Sequence, residues 1–152
     1  MSRKFLIVLA VGGSAALLLG AFAFQHLGGL APCKMCVWQR YPHAAAIGVG
    51  AIAVFVPLPA LLALGALAAL TTAGIGAYHV GVEQGWWQGP TSCSSAPVGD
   101  IGASALFEQI MTAPLVRCDE IAWQLAGISM AGWNMLISLA IAGLWLAALR
   151  AR

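Results

Sequence analysis

The sequence predicts an all-α membrane protein: a four-transmembrane-helix bundle whose long second outer loop carries a short interfacial helix. Three observations lead there. The chain of 152 residues is 61% hydrophobic and 8% charged, against a usual charged share of about 25%, so it lacks the polar surface a soluble domain needs. Four stretches, 5–24, 41–58, 60–80 and 130–149, contain no Asp, Glu, Lys or Arg, and about 20 apolar residues cross a hydrocarbon core of about 30 Å. All four cysteines fall between these stretches, in 25–40 and 81–129. The length predicts a single domain over 1–152.

The first span follows Arg3 and Lys4, and Arg150 and Arg152 follow the fourth. Basic residues favour the cytoplasmic side of a span, so both ends are expected inside and both cysteine-bearing segments outside. A cleaved leader is the competing reading of 5–24. That apolar run exceeds the roughly 7–15 residues of a signal-peptide core, and its removal would leave an odd number of crossings. The second span, 41–58, is the shortest and can draw length from 37–40. The loop around Pro57 and Pro59 has no Lys or Arg and carries no orientation signal. In the spans, Gly12, Gly48, Gly50, Gly65, Gly74 and Gly76 read as packing positions, because small residues let helices approach closely in lipid.

The second outer segment opens with a run rich in Gly, Pro and Ser, which argues for irregular structure. Over 104–111, Leu106, Phe107, Ile110 and Met111 share one helical face opposite Glu108 and Gln109, the pattern of a helix lying in the membrane interface. Trp86, Trp87, Trp123 and Trp133 flank the spans as aromatic anchors. Nothing in this composition suits nucleic acid; the partner it requires is a lipid bilayer.

The chemistry lies in the cysteines. Cys33-Lys34-Met35-Cys36 is followed by Val37, so it is not a haem attachment site, which needs His there. Zinc would need a second closely spaced ligand pair; Cys93 and Cys118 are far apart in sequence with no His beside them, and no metal is expected. As a structural disulfide, Cys33–Cys36 would close a tiny loop and stabilise little. A redox pair suits it better, because basic side chains and helix N-termini favour the reactive thiolate. Lys34 lies within the pair, and Arg40 stands four residues after Cys36. If the second helix starts near Cys36, Arg40 shares its face and can stabilise a thiolate or a bound electron acceptor. If it starts at Tyr41, with Pro42 in the first turn, only proximity remains. Cys93 and Cys118 can be a staple worth roughly 3 kcal/mol, or a second couple that exchanges with the first through mixed disulfides. Arg117 and the pair Asp119 and Glu120 pull the Cys118 thiol in opposite directions. His26, His43 and His79 all belong near the outer ends of spans. His79 is the candidate to face a cofactor, with Glu83 on its helix face. Ser129, Asn134 and Ser138 read as interhelical hydrogen-bonding groups.

These features resemble the DsbB family, the membrane thiol oxidases of the bacterial envelope. The likeness covers nearly the whole chain: four spans, Gln25-His26 closing the first, Cys33-Lys34-Met35-Cys36-Val37-Trp38-Gln39-Arg40 opening the second, and a long outer loop bearing Cys93 and Cys118. The Cys-x-x-Cys followed by Gln-Arg is its most specific part. The resemblance implies a multi-pass protein of the bacterial inner membrane, with cytoplasmic termini and periplasmic cysteines. It implies that a DsbA-type thioredoxin-fold partner attacks at Cys93, that Cys118 then attacks Cys33, and that Cys36 faces a quinone, ubiquinone or menaquinone, held in part by Arg40. The alternative to such an oxidase is a non-catalytic membrane scaffold with structural disulfides.

Overall fold

A computed structural model describes residues 1–90 and 116–151, together with Ser104, Phe107 and Met111. Four helices dominate: α1 (Arg3–His26), α2 (Lys34–Ala53), α3 (Pro59–Glu83) and α4 (Met130–Arg150). α1 and α2 each pack on both α3/α4-side and mutual neighbours, so the contacts run α1 to α2, α2 to α3, α3 to α4 and α4 back to α1. The four helices therefore stand at the corners of a closed ring. Three of them, α1, α3 and α4, are long and apolar enough to cross a membrane.

Local signals set the ends. Ser2 and Ser129 cap α1 and α4 by accepting the backbone N–H of Phe5 and Gly132, the usual role of an N-cap hydroxyl. Pro59 occupies the first position of α3, where its missing N–H costs nothing. At the far end, the Arg3 guanidinium donates to the Ala151 carbonyl, its Nε at 2.9 Å, joining the ends of α1 and α4.

The expected start of the second helix needs correction. α2 begins at Lys34 and ends at Ala53, several residues upstream of 41–58 at both ends. Cys33 is its N-cap, and the Cys33 sulfur accepts the Cys36 N–H at 3.2 Å. Pro42 thus sits inside the helix, where it removes one backbone hydrogen bond and does not stop the chain. The connection between α1 and α2 shrinks to the few residues between His26 and Lys34. Before α4, Gln124–Leu125 (β1) pairs antiparallel with Ile128–Ser129 (β2). Ala126 and Gly127 turn the hairpin, both with positive φ (53° and 77°), as a two-residue type I′ connection requires. Ser104, Phe107 and Met111 are helical and exposed; the rest of the proposed interfacial helix lies outside the described residues.

The main core lies at the end remote from the cysteines. Ile7, Ala10, Leu62, Ala66, Ile141 and Ala148 surround Trp145, which is fully buried. Small residues make that possible. A methyl group on Gly65 would lie 2.6 Å from two Trp145 ring carbons, and one on Gly50 would lie 2.1 Å from Val11. Gly76 is less tight, with a Cβ there meeting Ala131 at 3.1 Å and Met135 at 3.2 Å. Gly12, Gly48 and Gly74 differ from expectation: a Cβ there meets nothing within 4 Å, so they face away from neighbouring helices. Gly65→Ala is accordingly expected to cost about 1–3 kcal/mol through overpacking and to lower the thermal unfolding midpoint in detergent. Gly48→Ala, with open space and a gain in helix propensity, leaves that midpoint level or higher.

Candidate active site

Between the apolar core and the cysteines the helices carry polar side chains inward. Gln39, His43, Thr72, His79 and Ser138 are all buried. Each needs a partner at this depth, and most have one. The Asn134 amide donates to Gln39 Oε1 at 2.7 Å and to Thr72 Oγ1 at 3.1 Å. His43 Nε2 lies 3.0 Å from Asn134 Oδ1 and 3.4 Å from Ser138 Oγ. Asn134 and Ser138 are thus interhelical partners, as is Ser129, which donates to Glu83.

Above this layer the sulfurs gather. Cys33 Sγ and Cys36 Sγ are 2.7 Å apart, within easy reach of the roughly 2.05 Å of a disulfide bond. Cys118, distant in sequence, is fully buried against Cys33, Met35 and Val82. Its sulfur, the Cys33 sulfur and a ring nitrogen of His79 all lie within 4.8 Å of one another. His79 Nε2 is 3.6 Å from Cys33 Sγ, 3.2 Å from the Cys118 carbonyl and 3.8 Å from Glu83 Oε1. The side-chain hydrogen bond to Cys36, followed by burial, pushes the Cys33 thiol well above the ordinary cysteine range.

The charges flanking Cys118 resolve the opposing pulls in the sequence. Arg117 grips Asp119 through two hydrogen bonds, 2.9 and 2.7 Å, and reaches Glu120 at 3.5 Å. The Arg117 guanidinium holds the Asp119 carboxyl below its usual range. These three satisfy one another at the surface while the neighbouring sulfur is buried. Lys34 is exposed and lies 6.0 Å from the Trp38 ring centroid. Cys93 lies outside the described residues.

A cavity of about 370 Å³ adjoins the sulfurs. Leu17, Ala21 and Phe24 of α1, Ile137 of α4, and Trp123 and Trp133 form apolar walls; Cys36, Gln39, Arg40, His43, His79 and Asn134 supply its polar part. The early start of α2 puts Cys36 and Arg40 on one face, the first of the two alternatives above. Arg40 donates to Gln25 Oε1 at 2.6 Å and sits 5.0 Å from the Phe22 ring centroid. Its Nε is buried and has no acceptor among the described residues. An orphaned cationic donor in an apolar pocket of ligand size suits a molecule with a carbonyl oxygen and a hydrophobic body, and a quinone has both. His26 stands apart from the other histidines, stacked on Phe22 at 6.3 Å. Sequence reasoning missed Gln39 and Thr72 as site residues: isolated polar residues in apolar runs were visible, but not their convergence.

Membrane-length helices with thiols buried at one end of the bundle, next to an apolar cavity, define a helical membrane protein built around a sulfur cluster. The chain belongs to the DsbB family: the family model described as Disulfide bond formation protein DsbB matches residues 3–148. It is 36% identical to the Disulfide bond formation protein B of Verminephrobacter eiseniae (strain EF01-2), an alignment covering 99% of this chain and 86% of that relative. It is 32% identical to the protein of the same name from Stutzerimonas stutzeri (strain A1501), over 95% of this chain and 94% of the relative.

Proposed function

We propose that the protein is a thiol:quinone oxidoreductase of the bacterial inner membrane. It reoxidises a periplasmic DsbA-type oxidoreductase and passes two electrons through two cysteine pairs to a membrane quinone. The observation that carries this reading is the meeting of Cys118 with Cys33, beside a Cys36 that lines the cavity. In this reading α2 is the fourth crossing, both termini are cytoplasmic, and all four cysteines face the periplasm.

The sulfur chemistry balances as successive exchanges. A thiolate of the reduced partner attacks Cys93, breaking Cys93–Cys118 and releasing Cys118 as a thiolate. Cys118 attacks Cys33; the Cys33–Cys118 bond forms, Cys33–Cys36 breaks, and Cys36 leaves with the electron pair. The partner's second thiolate closes its own disulfide and frees Cys93, which attacks Cys118 and restores the loop disulfide. Cys33 and Cys36 are left reduced. A bound quinone supplies a sink for their two electrons and two protons. Arg40 holds the acceptor's oxygen and favours negative charge near Cys36. His79 and Gln39 complete the polar wall, and the apolar residues of α1 and α4 exclude water.

Thiol trapping tests this. The fully reduced protein is mixed with a short-tailed quinone and its free thiols are counted over time by a mass-adding maleimide on a gel. The expected result is loss of all four thiols with two quinones consumed per chain. Thiols that persist while quinone stays unreduced would overturn the proposal and favour a scaffold.

A further inference from the structure

The polar layer has a direction, and two backbone carbonyls set it. Thr72 Oγ1 donates to the Gln39 carbonyl at 3.0 Å. Its oxygen is then left to accept, and it takes one Asn134 amide hydrogen at 3.1 Å while Gln39 Oε1 takes the other at 2.7 Å. Gln39 Nε2 donates to the Met35 carbonyl at 3.2 Å. That bond and the one from Asn134 both fix the same orientation of the Gln39 amide. Its second N–H points at His79 Nδ1, 3.1 Å away. An imidazole that accepts at Nδ1 carries its proton on Nε2. That Nε2–H faces the Cys118 carbonyl at 3.2 Å and the Cys33 sulfur at 3.6 Å.

We propose that Gln39 is a positioning residue that locks the His79 tautomer, so that the Nε2–H docks Cys118 against Cys33 for the exchange between the two cysteine pairs. This deepens the oxidase reading and rests on it. In the exchange, the Cys118 thiolate attacks Cys33, forming Cys33–Cys118 as Cys33–Cys36 breaks, and Cys36 departs as a thiolate; no electrons enter or leave. The Nε2–H contributes by holding the Cys118 backbone where its sulfur can reach. The same lock has a second effect. Cys33, Cys118 and His79 have the spacing of metal ligands, but a ligating histidine offers one bare nitrogen and donates its other N–H to an oxygen acceptor. Gln39 imposes the reverse arrangement, withholding the Nε2 lone pair from a cation.

The experiment uses the full chain in lipid nanodiscs with Cys36→Ser and Cys93→Ser, leaving two thiols, Cys33 and Cys118. Equilibration in glutathione buffers gives the effective concentration of Cys118 toward Cys33. Gln39→Glu presents an acceptor to Nδ1, draws the proton there and turns Nε2 into an acceptor facing a carbonyl. The effective concentration is expected to fall about tenfold, the worth of one hydrogen bond. His79→Leu should fall comparably, whereas His79→Gln, which keeps an N–H donor, retains it. Nitrogen-15 spectra of the His79 ring should show the proton on Nε2 in the parent and on Nδ1 with Gln39→Glu. A ring proton on Nδ1 in the parent overturns the proposal, and this measurement needs no variant at position 39 or 79. So does an effective concentration that stays level when the proton moves. Failure of the oxidase reading appears separately, as quinone that leaves the unaltered protein's thiols untouched while this docking persists.

Discussion

Cys36→Ser is expected to separate the two halves of turnover: quinone reduction falls by at least about 10³-fold, the scale of removing a nucleophile, while the Cys33–Cys118 bond still forms. The helix start survives the change, because the Cys33 cap receives the backbone N–H of residue 36 and not its side chain. Cys118 also keeps its place against Cys33 and Val82. What disappears is the sulfur on the cavity wall. Cys33 cannot replace it, being 4% exposed and absent from the cavity lining. In the variant Cys33 is a free thiol: its thiolate attacks Cys118 of the Cys93–Cys118 disulfide, the Cys33–Cys118 bond forms and Cys93 leaves as a thiolate, visible as a shifted band on a non-reducing gel, while stopped-flow absorbance shows quinone unchanged. Quinone reduction at an undiminished rate would remove Cys36 from its assigned role.

The second large effect belongs to Arg40. Arg40→Met keeps much of the side chain's apolar stem beside Phe22 but removes the guanidinium. A hydrogen bond involving a charged group contributes about 1.5–3 kcal/mol, so KM for a short-tailed quinone should rise about 10- to 100-fold. Exchange between the two cysteine pairs, measured without quinone, should slow by less than the change in KM, since Arg40 bonds to Gln25 and lies on Phe22 and acts on the departing Cys36 thiolate only through its charge. Arg40→Lys should recover only part of the loss. An ammonium keeps the charge, but it cannot hold Gln25 and still present a second donor in the fixed plane of a guanidinium. Equal KM values for Arg40→Met and the parent would assign Arg40 to the membrane interface alone.

Much of the helical layout was legible because lipid imposes long uncharged runs, and α1, α3 and α4 follow them closely. The start of α2 was not. Lys34 and Arg40 broke the apolar run, and Pro42 looked like a first-turn residue, whereas the cap is a cysteine sulfur that no hydropathy pattern registers. The order of the cysteines made Cys33, Cys36 and Cys118 candidates, but their meeting depended on the placement of Cys118, buried against Cys33, Met35 and Val82. Spacing along the chain likewise argued that no histidine accompanied Cys118, and the fold brings His79 to it from another helix. Glycine was the least readable. Gly48 and Gly50 stand two apart on α2, yet one faces open space and the other Val11 and Trp145, a difference of helix rotation that composition does not encode.

The walls contributed by Leu17, Ala21 and Ile137 have a kinetic corollary. A reactant that arrives from among acyl chains searches a sheet, not a volume, so its availability is a mole fraction relative to lipid and not a molarity in buffer. Adding detergent at constant total quinone would then slow turnover by surface dilution alone, with the protein intact, and kinetic constants from different micelle loadings would agree only after conversion to that scale.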